Sequence, residues 1–200
     1  MSANVIRTTR LSSKVVPTAT AVAFSVPAAI VLLVVYYSVG GPFGTLNDLA
    51  NALIGILSAV LAVQTARLGV PAPAVAAAGL GGAVMVVGSW LVITGQTGWV
   101  LAGLVSAVGA AAIGGWLVVL NLVARRAGTL PTRITRLGLV SGAVMTLGVL
   151  TVPDIVARAD SWEDLHWYGV VGFLGWIGLY VGYPVWSALL ARAAGQRRTG

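Results

Sequence analysis

The chain has 200 residues, 58% of them hydrophobic and only 8% charged, with a net charge of +7. Soluble globular chains carry about 25% charged residues, so this composition excludes an ordinary soluble domain. With no cysteine, disulfides, thiolate metal sites, iron–sulfur clusters and cysteine nucleophiles are excluded as well.

Apolar runs about 20 residues long mark membrane-crossing helices, and six occur here: 16–39, 46–66, 74–94, 99–124, 134–152 and 167–190. The expected fold is therefore all-α: a polytopic bundle of six transmembrane helices filling residues 16–192 as one domain. The first run follows a basic leader at 1–15 and is longer than the roughly 7–15 apolar residues of a signal peptide, which predicts an uncleaved helix. Pro17 falls in its first turn, while Pro27 is interior and predicts a kink. The fifth run is the shortest. An acidic loop at 153–166 joins it to the sixth, and a basic tail at 193–200 closes the chain.

Charge sorts by side. Arg7, Arg10 and Lys14 precede the first run, Arg67 follows the second, and Arg125, Arg126, Arg133 and Arg136 follow the fourth. Arg192, Arg197 and Arg198 follow the sixth. Asp48, Asp154, Asp160, Glu163, Asp164 and the single histidine, His166, fall at the opposite ends, where Arg158 is the one basic residue. Cytoplasmic loops are enriched in Lys and Arg, so both termini are expected in the cytoplasm. The basic excess then needs no nucleic acid. Many arginines with one lysine, among abundant Ala, Val and Gly, point to a bacterial plasma membrane protein.

Small residues at intervals of four let helix backbones approach where lipid gives no hydrophobic drive to pair. The fourth run has Gly103, Ala107, Ala111 and Gly115; the fifth has Gly138, Gly142 and Thr146; the second has Asn51, Gly55 and Ala59. On the sixth, a rotation of about 100° per residue groups Gly175, Gly178 and Gly182 and carries Gly169 and Gly172 away. Glycine and proline placements at the run ends suggest three hairpins, which ordinary capping preferences also produce. Aromatics gather at the borders: Tyr36, Tyr37, Trp90, Trp99, Trp162, Trp167 and Tyr168 at one edge, Tyr183 and Trp186 at the other. Trp116, Trp176 and Tyr180 lie deeper, and Tyr180 would need a partner for its hydroxyl.

No ionisable residue sits in the middle of a run, which disfavours proton relays and voltage sensing. One histidine cannot ligate haem on both faces, and the one lysine is not in the interior. No cofactor is expected. The polar candidates are Asn47, Asp48 and Asn51 at the start of the second run, with Glu163, Asp164 and His166 before the sixth. Asp160, Glu163, Asp164 and His166 together offer oxygen and imidazole ligands for a divalent cation. Against a ligand role, Thr45-Leu46-Asn47-Asp48 and Ser161-Trp162-Glu163-Asp164 both fit a capping box opening a helix.

Three functions fit. The first is a small interaction protein, an accessory or regulatory subunit docking onto a membrane partner or a second copy through the glycine ridges of the fourth, fifth and sixth runs. The second is a pore, carrier or receptor for a small apolar or cationic solute entering an acidic outer vestibule. The third is an enzyme at the outer leaflet using Asp48, Glu163, Asp164 and His166. A filled or hollow bundle core separates the first from the second.

Overall fold

The computed structural model describes residues 14–196, so Arg7, Arg10, Arg197 and Arg198 lie outside the described residues. Among those residues it is all-helical, with six helices long and apolar enough to cross a membrane. Helix one is Val15–Val39, helix two Phe43–Leu68, helix three Ala72–Ile93, helix four Trp99–Arg126, helix five Thr132–Val156 and helix six Trp167–Gln196. Helix one runs through Pro27 without interruption.

Consecutive helices pack side by side, and helix six returns to pack on helix one. The result is a closed ring in chain order. Short connections favour this antiparallel neighbour arrangement. Residues 14 and 196 share one end, here the terminal end; the opposite, distal end carries the turns joining helices one to two, three to four and five to six.

Glycine backbones make the close contacts. A Cβ on Gly55 would lie 2.8 Å from the Gly82 carbonyl oxygen, and one on Gly82 would lie 2.5 Å from that of Gly55. Gly81 and Gly109 approach in the same mutual way between helices three and four, and Gly114 and Gly142 between helices four and five. The second- and fifth-run ridges thus face helices three and four. On helix four, Ala107 and Ala111 meet Gly148 of helix five, whereas Gly115 meets nothing within 4 Å.

Helices five and six depart from the regular template. Residues Leu147–Thr151 wind as a 3₁₀ helix and lead into another α turn, Val152–Val156, with Pro153 in its first turn. Helix five therefore ends later than expected, and Asp154 belongs to it rather than to the acidic loop. In helix six, Leu174 N–H and Ile177 N–H donate to carbonyls three residues back. That tighter winding, three residues per turn, keeps positions i and i+3 on one face. Gly169 and Gly172 consequently do not wind away: they face Asp154 and Thr151 of helix five, in line with Gly175, Gly178 and Gly182. A π stretch, Gly178–Gly182, follows.

The terminal half of the ring is filled. Trp116, Trp186, Tyr183, Ile54, Leu61, Leu117 and Leu120 are all fully buried. Tyr183 and Trp186 are therefore core residues and not part of an interfacial belt. Their polar atoms are paired: the Tyr183 hydroxyl lies 3.0 Å from Ser58 Oγ, and the Trp186 indole N–H donates to Asn121 Oδ1 at 3.1 Å. In lipid such internal pairing is the alternative to an exposed polar group in hydrocarbon.

Candidate functional site

The distal half of the ring is hollow. A chamber of about 230 Å³ is lined by residues of helices one, two, three, four and six. Asn47, Asp48 and Asn51 come from helix two, Ser89 from helix three, Ser106 from helix four, and Phe173, Trp176 and Tyr180 from helix six. A wider mouth of about 390 Å³ adjoins it at the distal surface, sharing Leu33, Asn47, Asp48, Val92 and Trp99 and adding Tyr36 and Tyr37. At about 1.5 Å of rise per residue, Tyr180 lies about 20 Å below the start of helix six. It is the floor, stacked on Trp176 with ring centres 5.2 Å apart.

A directed hydrogen-bond chain fixes one wall. The Tyr180 hydroxyl donates to Asn51 Oδ1 at 3.0 Å, and Asn51 Nδ2 donates to Asn47 Oδ1 at 3.2 Å. Asn47 Nδ2 donates in turn to the Ala29 carbonyl of helix one at 2.7 Å. Spacing of four puts the two asparagines on one helical face, and the chain supplies the partner Tyr180 requires. Asp48 stands beside it, half-buried. No hydrogen bond or ion pair to Asp48 occurs among the described residues, and no basic residue lines the chamber. Aromatic side chains line the mouth and part of the chamber. Rings run in contact from Tyr36 to Tyr37, Trp99, Trp162 and Phe173, with successive centres 5.1–6.4 Å apart.

Of the six residues singled out for ligand binding, the chamber brings together Asn47, Asp48 and Asn51. Glu163, Asp164 and His166 lie outside it. Neither capping box opens one of the six long helices. Helix two begins at Phe43 after Pro42, so Thr45 and Asp48 are already inside it. Ser161 N–H and Oγ–H do donate to Asp164 Oδ2, at 3.2 and 2.7 Å, but helix six starts only after His166. The box is satisfied as a local turn.

The four possible metal ligands also separate. Asp160 accepts from the backbone N–H of Gly98 at 2.6 Å and of Leu101 at 3.1 Å, capping helix four, whose own N-cap residue, Gly98, has no side chain to do so. A Schellman turn places it there. Arg158 takes the left-handed conformation (φ 56°), Ala159 N–H donates to the Asp154 carbonyl, and Ala159 packs on Val100 and Leu104. Replacing Asp160 with Ala should cost about 0.5–2 kcal/mol, the usual range for a lost cap, and thermal unfolding in detergent would register it. An unchanged midpoint would mean that water caps helix four equally well.

His166 pairs elsewhere. Its Nδ1 lies 2.7 Å from Oδ1 of Asp154, which is fully buried, while the imidazole itself is 56% exposed and stacks on Tyr168. Gly169 makes this possible, since a side chain there would occupy the space of the Asp154 carboxylate. Glu163 is exposed on the loop. Among the described residues no three His, Asp or Glu side chains are grouped so as to hold a metal ion.

Sequence reasoning missed Ser89 and Ser106. Each is a single hydroxyl in a helix otherwise rich in Ala, Gly and Val, where small residues ordinarily signal packing. The chain was compared with known families, characterised proteins and solved structures, and matches none of them. Fold and site together define a six-helix ring, closed at its terminal half, with an aromatic chamber and one carboxylate at its distal half.

Proposed function

We propose that this is a multi-pass protein of the bacterial plasma membrane, with both termini cytoplasmic, that binds a small organic cation from outside as a carrier or receptor. Arg67, Arg125, Arg126, Arg133, Arg136 and Arg192 at the terminal end support that orientation through the positive-inside tendency. An arginine-rich composition with one lysine supports the bacterial origin.

The observation that carries the reading is Asp48, a carboxylate without a counter-charge at a chamber walled by Trp99, Phe173, Trp176 and Tyr180. A charge removed from water is costly unless paired, and a cationic ligand would complete the pair. Aromatic faces add about 0.5–2 kcal/mol each through cation–π attraction. The volume lies below the roughly 300–1,000 Å³ of drug-sized pockets, which favours a small solute. The accessory-subunit reading has less support, because the ridges it invokes face neighbouring helices of the ring; Gly115 is the exception.

The test is tryptophan fluorescence titration of the protein in lipid nanodiscs with phenylalkylammonium ions, from primary to quaternary. At least one should bind, and Asp48→Asn should weaken it at least about tenfold, as expected for a charged hydrogen-bonding partner worth about 1.5–3 kcal/mol. Equal binding by both proteins would remove the cation from the proposal.

A further inference from the structure

We propose that the cation this chamber takes is a protonated amine with N–H donors on a short apolar body, in preference to a quaternary ammonium ion. The proposal rests on the cation-binding reading above and narrows its ligand class.

The chamber carries unused hydrogen-bond acceptors. Ser89 and Ser106 are only 4% and 6% exposed, and both line the chamber. A serine or threonine in a helix commonly returns its hydroxyl to a carbonyl one turn back, as Ser38, Ser58 and Thr65 do here. Neither Ser89 nor Ser106 does so, and neither hydroxyl has a partner among the described residues. Gly88 makes room for one of them: a Cβ there would collide with Ser106 Oγ.

With Asp48 these hydroxyls make three open acceptors, on helices two, three and four, which are successive neighbours in the ring. All three residues stand within about 10 Å of the distal ends of their helices at about 1.5 Å per residue. The nearby amide oxygens, Asn47 Oδ1 and Asn51 Oδ1, each already accept one hydrogen bond, from Asn51 and Tyr180 respectively. An alkylammonium carries three N–H donors, matching a carboxylate and two hydroxyls. A quaternary ion has none and would leave both hydroxyls unpaired in a buried site, an unfavourable outcome for any polar group cut off from water. The body of the ligand would lie on Phe173, Trp176 and Tyr180, and the chamber's size keeps that body short.

The experiment compares 2-phenylethylammonium, its N,N,N-trimethyl derivative and neutral 2-phenylethanol, titrated into wild type, Asp48→Asn and the double variant Ser89→Ala/Ser106→Ala in nanodiscs. The primary ion should bind wild type at least about tenfold tighter than the trimethyl ion, in keeping with hydrogen-bond selection between close analogues. The double variant should lose most of that ratio by weakening the primary ion alone. Equal or tighter trimethyl binding to wild type, or an unchanged ratio in the double variant, overturns the amine proposal; if Asp48 still matters, the cation reading stands. If no ion binds wild type, or 2-phenylethanol binds as well as both ions, the two readings fall together. The wild-type ratio is decisive even where a variant folds poorly.

Discussion

Gly109→Val should prevent the ring from assembling, while Gly115→Val, six residues along the same helix, should be tolerated. A Cβ on Gly109 would lie 2.5 Å from the Gly81 carbonyl oxygen and 2.9 Å from the Met85 nitrogen. Both obstacles are backbone, so no rotamer change relieves them; helices three and four must part. Overpacking typically costs about 1–3 kcal/mol even where side chains can yield, and here the whole contact between two helices opens. At Gly115 a Cβ meets nothing within 4 Å, and a substitution free of contacts stays within about 0.5 kcal/mol. Gel filtration and thermal unfolding of both variants would decide. Similar behaviour of the two would show that the ridge on helix four is not selective in the way the geometry requires.

The second large effect is expected at Trp186→Ala. This side chain is fully buried, meets Trp116 edge-on at 6.2 Å, and stacks on Tyr183 at 5.9 Å. Truncating a buried Trp costs about 3–5 kcal/mol. Losing its indole N–H also leaves Asn121 Oδ1 without its donor, and the Asn121 amide is already committed to the Leu117 carbonyl at 2.7 Å. Trp186→Phe separates the contributions: it keeps most of the ring packing and loses the hydrogen bond, so it should cost about 1–3 kcal/mol, the range for one unsatisfied buried group. Chemical or thermal unfolding of the pair measures the difference. A Phe variant as unstable as the Ala variant would place the weight on the hydrogen bond instead of the packing.

Six helices were legible because apolar length is a property of composition, which survives whatever tertiary contacts the chain makes. The errors fall where the chain leaves the ideal α template. A fixed rotation of about 100° per residue separates Gly169 and Gly172 from the other glycines of helix six, but 3₁₀ hydrogen bonds at Leu174 and Ile177 restore them to one face. The box Ser161–Asp164 is a correct local pattern, and no helix follows it directly.

The polar wall was half legible. Asn47, Asp48 and Asn51 are dense enough in sequence to be noticed together. Ser89 and Ser106 are not, because only the packing of helices two, three and four sets them around the same chamber as Asp48. Tyr183 and Trp186 misled for a related reason: their distance from the end of helix six suits an interfacial belt, and only Ser58 and Asn121 across the ring explain why they are inside.

The chain-order ring has a consequence for biosynthesis. Each helix after the first finds its neighbour already made, so most contacts among helices one to five are between neighbours in time, with only a few between helices two and four. Helix six is different, since it must meet both helix five and helix one. It also brings Phe173, Trp176 and Tyr180, together with the Tyr183 and Trp186 that fill the ring below them. Until that last helix arrives, Asn51 lacks the Tyr180 hydroxyl, Ser58 lacks Tyr183 and Asn121 lacks the indole of Trp186. Without helix six the ring is an open trough with these polar residues uncapped, and the docking of that one helix supplies the floor, the seal and the cavity together.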